Sequence, residues 1–278
     1  MESRDRHLAG KVAWVTGSSR GIGRVVAAHL ASLGAAVALH GTTPVSTRAF
    51  GEGHSLDAVA QAIAHEHQVP VLPVHGDLAD ERIVKDLTGK IRSALNPIDI
   101  LVNCAGGDIG SRGTGSPMGG KPPQNDAVFI STEDIRSVLD RNLMTCILVS
   151  REVAPEMMER RSGRIINFGS IAGLQGNKES AIYATAKAAV HEYTRCLAVI
   201  LRPYNVTVNA VAPGEIVTPR FVASRQTDPK RFVEEGTLER YGRPIEVARA
   251  IEFLVSEGGS YITGQVIRVD GGSQCWPA

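Results

Sequence analysis

The sequence predicts an α/β fold, a doubly wound parallel sheet of seven strands with helices on both faces. Three observations carry this. Short apolar runs alternate with longer segments of helical period along all 278 residues. The runs are continuous in Val, Ile, Leu and Ala rather than alternating, as in strands covered on both faces. The first run leads directly into a glycine-rich turn and then a helix-period segment, the opening of a strand–helix–strand unit with a right-handed crossover.

The strands are expected at 12–16, 36–40, 71–74, 100–103, 164–169, 206–212 and 265–269. Helices are expected between them at 21–33, 55–66, 81–94, 132–161, 181–201 and 244–256. In the first helix Ile22, Val25, Val26, Leu30 and Leu33 fall mostly on one face, the stripe an amphipathic helix buries. No shift in composition marks a boundary, so the chain reads as one dinucleotide-binding and catalytic domain over 1–278. Two segments interrupt the pattern. The stretch near 107–131 is rich in glycine, with Pro117, Pro122 and Pro123, and reads as a long inserted loop. The polar stretch near 214–241 reads as a mobile helix pair, a lid over a site. Both leave from the carboxyl ends of strands, where ligands bind in such sheets.

Composition excludes several classes. The 30 basic and 29 acidic residues nearly balance, with no basic patch for nucleic acid or a membrane surface. No apolar stretch is long enough to span a bilayer, and the polar residues 1–11 do not form a signal peptide. The four cysteines lack metal-ligand spacing, so no metal site and no disulfide framework is expected. Cys104, Cys146 and Cys196 read as small buried hydrophobes. A reduced, cytoplasmic setting follows as the expectation.

The chemistry begins after the first strand, at Thr16-Gly17-Ser18-Ser19-Arg20-Gly21-Ile22-Gly23. Glycines there allow a tight turn and close approach of backbone to a pyrophosphate. The helix starting at Gly21 offers free amides and the positive end of its dipole. The spacing Gly-x3-Gly-x-Gly resembles the nucleotide motif of the short-chain dehydrogenase/reductase family, of which the 3-oxoacyl-[acyl-carrier-protein] reductase-like carbonyl reductases are the nearest pattern. Asn103-Cys104-Ala105-Gly106 resembles the family's Asn-Asn-Ala-Gly, with Cys104 a departure. Pro213-Gly214 at the end of the sixth strand, Val269-Asp270-Gly271-Gly272 at the seventh, and Arg240-Tyr241-Gly242-Arg243-Pro244 are similar to further family segments. The likeness runs over roughly residues 8–274, nearly the whole chain.

The resemblance implies a Rossmann-type fold and a hydride transfer between a nicotinamide and a carbonyl or secondary alcohol. It assigns Ser170, Tyr183 and Lys187 to catalysis, and Asn142 to a water relay from Lys187. The residues support this independently. Tyr183 and Lys187 are four apart on a helical segment and so share a face. A tyrosine ordinarily ionises near pH 10, and a nearby ammonium and the positive nicotinamide favour the phenolate. Tyr183 is then the expected general acid/base, with Ser170 holding the substrate oxygen.

For the cofactor, the resemblance implies Gly17, Ser19, Arg20, Gly21, Ile22 and Gly23 on the phosphates. Asp77 and Leu78 fall on the adenine, Asn103, Ala105 and Gly106 along the adenosine side, and Lys187 on the nicotinamide ribose. Pro213, Gly214, Ile216 and Thr218 border the nicotinamide. An NAD enzyme usually carries an acid at the end of the second strand. Here Gly41, Thr42 and Thr43 stand there and the next acid is Glu52. With Arg20 in the cradle, NADP(H) is preferred and NAD(H) is the alternative.

The expected substrate is a small carbonyl or alcohol compound near Ile171, Leu174 and Gln175, with no Arg cluster for a polyphosphate. The resemblance implies a homotetramer or homodimer built through 132–161 and 181–201, with the 274–278 tail reaching a partner. Two rival readings are a sugar or polyol dehydrogenase using NAD and a dinucleotide sensor without chemistry, which is expected to lack Tyr183 or Lys187.

Overall fold

The computed structural model describes residues 6–276. The first five residues of the polar amino-terminal stretch and the last two of the 274–278 tail lie outside the described residues. Seven strands form one sheet: β1 Val12–Val15, β2 Ala36–Gly41, β3 Val71–His75, β4 Ile100–Asn103, β5 Gly163–Phe168, β6 Val206–Pro213 and β7 Val266–Val269. Every pairing is parallel and the order is β3-β2-β1-β4-β5-β6-β7, with the direction of winding reversing between β1 and β4. That reversal opens a crevice at the carboxyl ends of the strands.

Each central strand is buried on both faces because helices cover both sides. Ala13 and Val15 of β1 join the core under α1 (Gly21–Ser32), α2 (Leu56–His67) and α8 (Pro244–Val255). Val12 and Trp14 join the opposite core with α3 (Glu81–Leu95), α5 (Thr145–Arg160) and α6 (Ala181–Leu201). This two-sided burial is why the strand sequences read as unbroken apolar runs. The apolar stripe of α1 is turned inward as expected, with Val26 and Leu30 fully buried and Ile22, Val25 and Leu33 packed at the margin.

Three elements differ from the sequence expectation. The helix expected over 132–161 is α4 (Thr132–Leu139) and α5 joined by a π-helical turn at Asp140–Met144. Such turns insert a residue into the helical ladder and re-aim side chains, frequently at functional sites. The segment 214–241 is not a pair of helices. It holds one five-residue helix, α7 (Pro219–Ala223), and a single 3-10 turn at Pro229–Arg231. Tyr241 knots it together, edge-on to Phe221 at 5.1 Å and to Phe232 at 5.0 Å, with its hydroxyl accepting from the Asp228 amide at 2.9 Å. Finally, Cys196 is exposed rather than buried, because its position on α6 faces away from the sheet. Cys104 is half-buried and Cys146 buried.

The glycine-rich loop after β4 is tied down at several points. The Asp108 carboxylate accepts from Asn125 Nδ2 and from Ser180 Oγ, both at 2.6 Å. Ser180 in turn donates its amide to the Asn125 carbonyl at 2.6 Å. These bonds join the start of the loop, its end and the residue before α6. Arg220 of α7 donates to the carbonyls of Gly119 and Asp108 at 3.0 and 2.6 Å, which ties α7 to the same loop.

Candidate active site

A cavity of about 1180 Å³ lies over the carboxyl ends of the strands and holds both candidate constellations. Ligand pockets are usually about 300–1,000 Å³, so this one has room for a dinucleotide and a small substrate together.

Its first half is the cradle between β1 and α1. Gly17 and Gly21 take left-handed φ values of +63° and +57°. A Cβ on Gly17 would lie 2.7 Å from Ala105 Cα, and one on Gly23 would lie 2.6 Å from the Gly17 carbonyl oxygen. Gly17 is therefore required by both the turn and the packing, Gly21 by its left-handed turn, and Gly23 by the packing. His40 of β2 organises the turn from behind. Its Nδ1 accepts from the Gly17 amide at 3.1 Å, and Nε2 lies 3.1 Å from the Gly76 carbonyl. Burial lowers its pKa to about 4, so the ring is neutral with the proton on Nε2. The amides of Ile22 and Gly23 stand in the first turn of α1, where no intrahelical acceptor exists. A small anion fits this arrangement, and the protein itself supplies a stand-in. The Glu52 carboxylate accepts from the Gly21 amide at 2.7 Å.

No acid stands at the end of β2, but the next one along the chain, Glu52, folds back onto the cradle. The chain from Thr42 to Ser55 leaves β2, makes two 3-10 turns within Ser46–Gly51 and returns. The Glu52 carbonyl accepts from the Arg24 guanidinium as the chain comes back. Arg20 donates to the Ser46 carbonyl at 2.7 Å and stands over the Phe50 ring. Burial pulls the Arg20 pKa down, Glu52 opposes this, and Arg141 adds to it from across the cavity.

The second half of the cavity holds Ser170, Tyr183 and Lys187. Ser170 lies two residues beyond β5, and its amide donates to Nε2 of the buried His191 at 3.3 Å. Tyr183 and Lys187 lie one turn apart on α6, with Nζ 5.6 Å from the tyrosine ring centroid. Lys187 is buried and donates to the Phe168 carbonyl at 2.7 Å; burial draws its pKa down to about 8. The Tyr183 pKa is raised. Burial against the cavity wall outweighs the hydrogen bond from Ser170 and the charges of Arg220 and Arg225, so the phenol is held in its protonated form.

Gly17, Ser19, Arg20, Gly21, Ile22, Gly23, Gly41, Thr42, Asp77, Leu78, Ala105, Gly106, Pro213, Gly214, Ile216 and Thr218 all line this cavity. Leu174, expected beside the substrate, lies off its wall, as do three expected cofactor and catalytic residues. Thr43 is exposed and donates its amide to Ser46 Oγ at 2.8 Å, because the chain has already turned away from the cradle. Asn103 is buried in the sheet centre, donating to Ser150 and Asn167 at 2.9 Å. Asn142 sits behind the wall in the π-helical turn. Its side chain exchanges two hydrogen bonds of 2.9 Å with the Gly107 backbone and donates to the Val138 carbonyl at 2.8 Å. It supports Gly106, where a Cβ would lie 2.7 Å from Asn142 Oδ1 and 3.3 Å from Lys187 Nζ.

Sequence reasoning named Glu52 only as the next acid along the chain and did not single out Asp108, Lys121, Arg141, Arg220, Arg225 or Gln274, all on the cavity wall. They lie in loops or on short helices, where no periodicity reports which way a side chain turns. Gln274 is brought in by the motif at the end of β7. Asp270 accepts from the Gln274 amide at 3.0 Å, and Gln274 Nε2 then donates to the Ile171 carbonyl at 3.0 Å. These bonds turn the described part of the tail toward its own subunit's cavity.

A glycine cradle and a Ser–Tyr–Lys set in one cavity, on a doubly wound parallel sheet, define a nicotinamide-dependent oxidoreductase of carbonyl and alcohol groups. The chain belongs to the short-chain dehydrogenase/reductase family. The family model described as enoyl-(acyl carrier protein) reductase matches residues 17–274. The chain is 38% identical over 267 residues to the 3-oxoacyl-[acyl-carrier-protein] reductase FabG of Aquifex aeolicus, covering 95% of this chain and 98% of that one. It is 38% identical over 272 residues to a cyclohexanol dehydrogenase of Rhodococcus sp., covering 95% and 96%. A putative gluconate dehydrogenase from Agrobacterium tumefaciens superposes with a TM-score of 0.80 at 28% identity, covering 97% of this chain and 98% of that one. A 7α-hydroxysteroid dehydrogenase solved with NADH and a 7-oxo bile acid superposes with a TM-score of 0.78 at 28% identity, covering 98% and 97%. No helix among the described residues is long and apolar enough to cross a membrane.

Proposed function

We propose that Tyr183 is the general acid/base of this oxidoreductase, and that the cradle binds NADP(H) in preference to NAD(H). The observation that carries the first claim is the position of Tyr183 and Lys187. They stand on one face of α6, in the same cavity as the cradle and beside Ser170. The bound nicotinamide supplies or accepts the hydride. In the reductive direction the protonated Tyr183 phenol donates to the carbonyl oxygen, and Ser170 Oγ holds that oxygen still. In the oxidative direction Tyr183 takes the alcohol proton. Lys187, fixed by the Phe168 carbonyl, places its positive charge beneath the phenol and lowers the cost of the phenolate. Asn142 keeps Gly106 and Gly107 in place against Lys187. Tyr183→Phe is expected to lose turnover by about 10²–10⁴-fold while cofactor binding, followed by fluorescence titration, is kept. Retained turnover would reject the assignment and favour a sensor.

The NADP(H) preference rests on Arg20 and on the absence of an acid at Gly41 and Thr42. Glu52 favours the second reading, NAD(H), since a carboxylate near the cradle repels a 2′-phosphate and accepts from ribose hydroxyls.

We also propose a cytoplasmic homotetramer or homodimer. Val199 and Ile200 at the end of α6 are exposed, as are Phe253 of α8, Tyr261 and Ile267 of the edge strand β7. Burial of such apolar side chains drives association. A monomeric mass in solution would reject it.

A further inference from the structure

The substrate half of the cavity is more strongly charged than the sequence suggests. Lys121, from the glycine-rich loop, and Arg220 and Arg225, from α7 and the residues after it, all line it together with Tyr183. Arg225 has a carboxylate partner, Glu215 at 3.6 Å, and Glu215 is shared with Arg231 at 2.6 Å. Arg220 has none. Its Nε and Nη2 hold backbone carbonyls, and Nη1 lies 3.5 Å from where a Cβ on Gly107 would stand. The half-buried Lys121 ammonium makes no hydrogen bond or ion pair among the described residues. Asp108 and Glu179 lie within its field without pairing to it, and Asp108 is already held by Asn125 and Ser180. A partly desolvated cation without a partner is costly, and a ligand anion relieves the cost.

We propose that the substrate of this enzyme is a carbonyl or alcohol compound carrying a carboxylate, with that carboxylate bound by Lys121 and by Nη1 of Arg220 while the reacting carbon faces Tyr183. This rests on the reading of Tyr183 as the acid/base, because Tyr183 sets which end of the cavity receives the reacting group. Arg225 lines the same wall but is held by Glu215, so Lys121 and Arg220 are the two cations there without a carboxylate of their own among the described residues. Lys121 is the specificity-determining member, since Arg220 also holds the loop to α7.

The test is a calorimetric titration of the full-length, cofactor-loaded enzyme with cyclohexanecarboxylate and with cyclohexanecarboxamide, a pair matched in shape and differing in charge. The carboxylate is expected to bind at least about tenfold more tightly than the amide, and the difference to shrink as salt is raised. Lys121→Met is expected to bring the two affinities within about threefold, and Lys121→Arg to restore the preference. Equal affinities in the wild type, binding of neither compound, or a preference that survives in Lys121→Met would each overturn the proposal. Turnover of ketones decides the Tyr183 reading separately. Reduction of neutral ketones without any preference for the carboxylate would leave Tyr183 standing and remove the anion site. A carboxylate preference in a protein that turns over no carbonyl compound would do the reverse.

Discussion

Nδ1 of His40 accepts a hydrogen bond from the Gly17 amide at 3.1 Å, so a strand residue buried beneath the cradle sets the conformation of its first glycine. His40 has a further tie, since its own amide donates to Ser18 Oγ at 2.8 Å and its carbonyl accepts from the Ser19 amide at 3.0 Å. Replacing the ring with Leu leaves the Gly17 amide without its partner, which costs about 1–3 kcal/mol for a buried donor. His40→Leu is expected to lower stability by about that amount in a denaturant titration and to weaken cofactor binding.

The same ring gives a pH dependence whose sign follows from its lowered pKa. His40 is neutral when folded, with a pKa near 4 against 6.5 when unfolded, and His191 behind Ser170 has the same shift for the same reason, burial. The unfolded chain therefore binds more protons between these values. The stability is fully present above about pH 6.5, is lost as pH falls toward 4, and falls no further from these groups below that. Thermal midpoints measured across this window are expected to fall with acid, less steeply in His40→Leu. An equal slope in both proteins would remove His40 from the account.

Glu52 offers a test of cofactor choice. If its carboxylate repels the 2′-phosphate, Glu52→Gln is expected to tighten NADPH binding by about tenfold and to change NADH little. If it accepts from the ribose hydroxyls, the same variant loses NADH affinity instead. Fluorescence titrations with both cofactors separate the outcomes.

The bonds among Asp108, Asn125 and Ser180 predict a defect that acts at a distance. Asp108→Ala removes the acceptor of two hydrogen bonds of 2.6 Å and frees the loop from the start of α6, three residues before Tyr183. Loss of turnover together with a raised KM is expected, since the loop lines the same cavity as Tyr183, the proposed acid/base on that helix. Unchanged kinetics would mean that the remaining ties, Arg220 and the bond from the Ser180 amide to the Asn125 carbonyl, suffice to hold the loop.

Much of the fold was legible because burial imposes a local period. Strands covered on both faces must be apolar throughout, and all seven expected strands occur within a residue of their predicted limits. Helix α1 had to present one apolar stripe, and it does. The cradle and the Tyr183–Lys187 pair were legible for a similar reason. Glycine spacing and a four-residue helical interval encode geometry within one or two turns of chain. The π-helical turn at Asn142 was hidden, since a single inserted residue barely disturbs the pattern of the long helix around it.

What the sequence determined by itself was the parallel doubly wound sheet, the glycine turn between β1 and α1 and the shared face of Tyr183 and Lys187 on α6, all products of short-range periodicity. Tertiary structure alone decided the electrostatics of the site. It folds Glu52 onto the Gly21 amide, 31 residues away, and brings Arg220 to the Asp108 carbonyl across 112 residues. It also half-buries Tyr183 against the cavity wall, and this desolvation raises the pKa of its phenol. Charge and desolvation act through space, and separation along the chain carries no record of either until the loops are packed.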